Sequence, residues 1–114
     1  MALSFSQLFA SKLVNNAAVD TLFTVPSTPS SSTLRNCRVR FANVTAVTAT
    51  IKAWAVPAAG AAGDANVCQP VVSINPNSFI DVDMPVLSAG GFLQAQAGTA
   101  SSITALVLDG FIQS

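Results

Sequence analysis

The sequence predicts an all-β protein: a single antiparallel two-sheet sandwich of about eight strands, jelly-roll or Greek-key in order, with a short N-terminal arm or helix. Three observations predict it. Pro, Gly, Asn and Ser cut the 114 residues into short runs at close spacing. Thr, Val, Ile and Phe dominate those runs, as strands prefer, although abundant Ala dilutes the signal. No strand–helix–strand alternation appears, which disfavours a parallel α/β sheet. The length supports one domain, with residues 1–20 as the arm or first strand and residues 21–114 as the sandwich.

The first run, residues 5–14, is open to two readings. Phe5, Leu8, Phe9 and Leu13 form one stripe of a short helix capped by Ser4, and an extended arm or first strand is equally allowed. These apolar side chains are hard to satisfy on a separate small sandwich, so the arm is expected to reach a partner and to be dispensable for the fold. Residues 22–25 make a short strand closed by Pro26, and the polar, Pro-containing residues 27–32 make a loop. Residues 34–44 are the clearest long strand: Cys37, Val39 and Phe41 alternate with Asn36, Arg38, Arg40 and Ala42. Residues 48–56 follow a short turn region, as the second arm of a hairpin. Ile51, Ala53 and Ala55 share one of its faces; Lys52, Trp54 and Val56 share the other.

Residues 57–64 form a loop of small residues. Residues 67–74 resume the sheet, with Pro70 restricting them to an edge or a bulge. Asn75-Pro76-Asn77 signals a turn. Residues 79–86 alternate cleanly, with Ile80, Val82, Met84 and Val86 expected inside and Asp81 and Asp83 outside. Residues 92–97 and 103–112 complete the set, joined by residues 98–102 as a hairpin loop. The last strand is apolar on both faces, which predicts either cover by a neighbouring subunit or sheet core on one side and the arm on the other.

Composition limits the chemistry. There are five basic and five acidic residues, no His and zero formal net charge. Every acid is Asp. Without His there is no imidazole base and no His metal ligand, and without a basic excess there is no footprint for nucleic acid. No apolar stretch approaches the length of a spanning helix, so no membrane contact is expected, and residues 1–13 lack the basic start of a secretory signal. Cys37 and Cys68 cannot complete a tetrahedral zinc site within one chain; buried free thiols are preferred over a disulfide. No cofactor, metal or catalytic residue is expected. Only 9% of residues are charged while 51% are hydrophobic. A free monomer of that composition lacks the repulsion that disperses small domains, so part of its surface is expected to face other protein.

The candidate sites follow from this. Asp81 and Asp83 share a strand face about 7 Å apart along the strand. Calcium binding or a glycosidase acid pair would need neighbours that are missing, so a solvated or partner-facing acidic strip is preferred. Arg38 and Arg40, with Arg35, form the one basic cluster, read equally as a contact for the acidic strip of another copy or as a charged outer face that prevents edge pairing. Trp54 lies opposite Ile51, Ala53 and Ala55 by register; core burial, the usual fate of a Trp, would take Lys52 and Val56 inside with it, so an exposed interface anchor is the preferred of the two readings. Asn43-Val44-Thr45 matches a glycosylation sequon with no secretion signal to support it.

The order of short motifs resembles small virion proteins of tailed bacteriophages. The motifs are Leu22-Phe23-Thr24-Val25-Pro26, then residues 36–43, then Trp54-Ala55-Val56-Pro57, then the loop Gly60-Ala61-Ala62-Gly63-Asp64-Ala65-Asn66, and finally Leu87-Ser88-Ala89-Gly90 and Leu108-Asp109-Gly110. They span residues 21–112 and are structural turns, not catalytic signatures. Phe23, where such patterns often carry Tyr, and the Ser- and Pro-rich residues 27–32 depart from the pattern. The resemblance implies a β-sandwich or jelly-roll subunit on the particle exterior: a head decoration (cement) protein bound to the major capsid protein, or a tail, neck or fibre subunit. It also implies a homo-oligomer, by analogy a trimer. A host-surface carbohydrate-binding module is the competing reading from another class. Its single Trp and absent Tyr count against it.

Overall fold

The computed structural model describes residues 3–4 and 7–113. Its strands are β1 (Leu3–Ser4), β2 (Lys12–Leu13), β3 (Asp20–Thr24), β4 (Thr33–Asn43), β5 (Ala49–Val56), β6 (Val67–Ile74), β7 (Phe79–Asp83), β8 (Leu87–Ser88), β9 (Phe92–Ala97) and β10 (Ile103–Gln113). The front sheet has β10 and β4 at its centre. β1 and β2 flank β10, and β7 and β8 flank β4. The back sheet runs β3-β9-β5-β6. All described pairings are antiparallel. With β1/β2 and β7/β8 each taken as one broken edge strand, two four-stranded sheets result. The chain passes between them in the order of a jelly roll.

That winding corrects both expected hairpins. β4 and β5 lie in opposite sheets, and so do β9 and β10. Residue alternation tells which side of a strand is buried, not which sheet the strand joins. The five-residue connections 44–48 and 98–102 are long enough to cross the roughly 10 Å between packed sheets.

The N-terminal residues edge their own front sheet. Lys12 and Leu13 pair with Ala105 and Thr104, and Leu3 and Ser4 pair with Gln113 and Ile112. Val14 is buried, and Leu8 and Phe9 pack against the core half-buried. The arm expected to reach a partner is therefore an internal edge, with no helix in residues 7–13. An extended segment finds unpaired backbone groups along β10, which one helical turn would leave unmet. Phe5 lies outside the described residues.

The core is built from the alternating faces read in the sequence. Val39 and Phe41 of β4, Ile51 and Ala53 of β5, Leu93 and Ala95 of β9, and Ile103 and Ala105 of β10 are all buried. Burial of each large side chain contributes about 1.5–3 kcal/mol. Val86 is a correction: it is 57% exposed, because β7 stops at Asp83 and Pro85 cannot continue the ladder.

Paired irregularities in β4 and β10 account for part of the two-faced last strand, while Leu106, opposite Arg40, and Leu108, 41% exposed, stay on the outer face. Val107 pairs with Val39, Asp109 with Arg38 and Phe111 with Arg35, with register shifts on both sides of Asp109. Inward parity thus changes along each strand, so Ile103 and Ala105 at one end and Ile112 at the other all meet the core. At the break Gly110 has φ +142°, and a Cβ there would stand 3.1 Å from Cys37 Cα. Only glycine fits. Pro70 sits in the edge strand β6 within a stretch of broken register against β5, as its missing N–H requires.

Candidate functional site

The charged side chains that the sequence singled out meet each other within the chain. β4 and β7 pair Arg38 with Asp83 and Arg40 with Asp81. Arg40 donates from Nε to Asp81 Oδ1 at 2.8 Å and from Nη2 to Oδ2 at 3.1 Å. Arg38 Nε donates to Asp83 Oδ1 at 2.8 Å. The hydrogen bond from Arg40 holds the Asp81 carboxyl below its ordinary range, and the same bonds push both guanidiniums up. The Arg40 guanidinium also lies 3.8 Å from the Phe79 ring centroid. On a partly exposed face such pairs contribute little stability. Their main effect is to leave the front sheet's outer face nearly neutral, so the reading of Arg38 and Arg40 as free for a neighbour's acidic strip gives way to pairing inside the subunit.

The two lysines also have partners within the chain. Lys12 Nζ contacts Asp20 Oδ1 at 2.7 Å, tying the edge of one sheet to the edge of the other. Lys52 Nζ stands 5.3 Å from the Trp54 ring centroid. Every charged residue except Asp64 lies in a strand.

The connections at one end of the sandwich, 14–19, 44–48, 75–78 and 98–102, carry no charged residue of their own, although the Asp20 carboxylate at the rim accepts from Asn15 N–H at 3.2 Å. Backbone bonds lace them together: Val44 N–H donates to Ser102 O, Asn43 N–H to Ser78 O and Asn77 N–H to Thr45 O. Val44 and Val47 are 53% and 61% exposed, and Val19 adds a third exposed valine. The outer-face row nearest this end is Leu13–Thr104–Ala42–Phe79, with Leu13 and Phe79 both half exposed. The apolar side chains exposed on this end and its rim make it the candidate contact surface.

Asn43 organises that end, and the sequence reading did not single it out beyond the sequon. Its side chain is buried. Nδ2 donates to the carbonyls of Val47, Ile74 and Asn75 at 2.8, 3.0 and 3.3 Å. Oδ1 accepts from Thr45 N–H and from Thr45 Oγ1–H. The amide that a glycosyl group would occupy is thus committed to the β4–β5 and β6–β7 connections. Asn at a strand end with Thr two residues on is an Asx-turn signal as well as a sequon.

Trp54 is a correction. It faces away from Ile51 and Ala53 as the register requires, between Gln94 and Val67, yet it is only 6% exposed. The 3-10 turn at Asp64–Asn66 packs against β5, and the Lys52 side chain overhangs the ring. A covered indole is neither an interface anchor nor a platform for a sugar ring.

Both cysteines are free. Burial first, then the charges of Asp109 and Cys68, push the Cys37 thiol up to about 12, and burial raises Cys68 as well. Among the described residues no three cysteine or aspartate side chains gather as a metal cluster, and no helix is long and apolar enough to cross a membrane. The chain matches no protein-family model and no curated protein.

Proposed function

We propose that this chain is a non-enzymatic structural subunit of a tailed-bacteriophage virion, assembled in the bacterial cytoplasm. In this reading it is a head decoration protein that bridges neighbouring subunits of the major capsid protein. One observation carries the reading: Arg38, Arg40, Lys12 and their aspartates are paired inside the subunit, and an uncharged, valine-bearing end is left exposed. Such a surface gains by losing water against another apolar surface and has few unpaired charges to desolvate. Contacts of this kind are individually modest. Repeated by the symmetry of a shell, and shared among the copies of an oligomer such as a trimer, they become effectively permanent. The motif order from residue 22 to residue 110 supplies the phage context by resemblance.

The edges of the sandwich favour docking through ends and faces over strand addition. β6 is broken by Pro70, and β7 carries Asp81 and Asp83. The test is binding to shells that lack the protein, with Val44→Asp and Val47→Asp together against the parent. Loss of shell occupancy with an unchanged β circular dichroism spectrum supports the reading. Equal occupancy rejects the uncharged end as the contact, and failure of the parent itself to bind shells rejects the decoration role.

A further inference from the structure

A third sulfur lies beside one of the two thiols. Cys68 Sγ lies 3.6 Å from Met84 Sδ. The ladder pairing Arg38 with Asp83 continues one step to Cys37 and Met84, where Met84 N–H donates to Cys37 O at 2.8 Å. Residues opposed in this way on one face have Cβ atoms about 4.5–5.5 Å apart. Cys37 and Met84 both face the core, at 2% and 7% exposure, and Cys68 of β6 packs against the same core, in contact with Met84. Three chain-distant sulfurs therefore converge where β6 and β7 line the same side of the sandwich.

Two clefts are lined by residues of the cluster. A cleft of about 460 Å³ is lined by Cys68 together with Val67, Pro85 and Val86. Another of about 530 Å³ is lined by Cys37 and Met84 together with Arg38 and Asp109. Neither cleft is lined by an imidazole, since the chain has no His. We propose that Cys37, Cys68 and Met84 form a binding site for one soft monovalent cation, copper(I). Thiolate and thioether donors select copper(I), whereas zinc takes four ligands from nitrogen, sulfur and oxygen. On binding, each thiol loses its S–H proton to solvent as an S–Cu bond forms. The thioether donates a lone pair and loses nothing, and copper keeps its oxidation state.

The experiment titrates the full chain anaerobically with tetrakis(acetonitrile)copper(I) against bicinchoninate. The parent is expected to retain one equivalent of copper(I) and no zinc. Cys68→Ser, Cys37→Ser and the size-preserving Met84→Leu should each weaken retention by about tenfold or more. Val47→Leu, in the connection 44–48, should not. Circular dichroism of each variant confirms the fold, and for any variant that unfolds, protection of the parent's thiols from alkylation by one equivalent of silver(I) replaces it. The proposal is overturned if the parent yields all its copper to bicinchoninate, if Met84→Leu binds like the parent, or if silver leaves alkylation of both thiols unchanged.

Discussion

Replacing Asn43 with Ala tests how the uncharged end is held. The two amide protons of Asn43 serve three carbonyls, and its oxygen accepts two bonds from Thr45. Four such bonds at about 1 kcal/mol net each give about 4 kcal/mol. Water can replace part of this at the exposed Val47 and Asn75, but much less at buried Ile74. The expected loss is therefore about 3 kcal/mol. With a urea slope of about 1.5 kcal/mol/M the midpoint falls by about 2 M. The single Trp of the chain, the covered Trp54, reports unfolding by its emission. Asn43→Asp keeps the shape and the acceptor but turns a carboxylate oxygen towards carbonyl oxygens, so it should destabilise at least as much. A loss below about 1 kcal/mol for Ala, within the range of ordinary surface changes, would refute the reasoning. So would parent-like stability of the Asp variant.

Four further outcomes are expected. Gly110→Ala should cost about 2–3 kcal/mol in urea denaturation, because its φ of +142° is unfavourable and Cys37 Cα blocks the added methyl. Gly63→Ala, which meets nothing closer than 4.0 Å, should stay within about 0.5 kcal/mol of the parent. Asp81 titrates below its unfolded value, so its contribution is complete above the ordinary carboxylate range and is lost as pH falls through the lowered folded value. Urea midpoints measured against pH should therefore decline less steeply in acid for Arg40→Gln than for the parent, and parallel profiles would contradict the pairing. Deleting residues 1–14 removes the edge of the front sheet and buried Val14 and should cost about 3 kcal/mol or more. A fully stable truncated sandwich would restore the idea of a detachable arm.

Face assignment was legible in the sequence wherever alternation was unbroken. Val39 and Phe41 inside, and Arg38, Arg40, Asp81 and Asp83 outside, all follow from a period of two. What failed was whatever depends on partners in space. The hairpins at residues 44–48 and 98–102 were misread because a crossing connection and a tight turn carry the same Thr, Ala and Ser. The inward turn of Ile112 on β10 was not legible because the parity change at Gly110 is invisible until Cys37 lies beside it, whereas Leu106 and Leu108 do face outward as alternation predicts. Trp54 was placed on the correct face and given the wrong exposure, since the Asp64–Asn66 turn that packs on β5 folds back from a segment the pattern left as loop. The ion pairs were half legible: both strips were seen, but their meeting on adjacent strands is a matter of topology. Met84 was counted as core alone, because Cys37 and Cys68 lie far from it in sequence.

The low charge of the chain matters functionally only if the exposed uncharged end is covered in a particle. The most direct measurement is the copy number of this chain in purified phage particles by quantitative mass spectrometry against the major capsid protein. The decoration role predicts a copy number that scales with the number of capsid subunits. A few copies per particle would place the chain in the neck, tail or fibre, and absence from particles would contradict the structural role altogether.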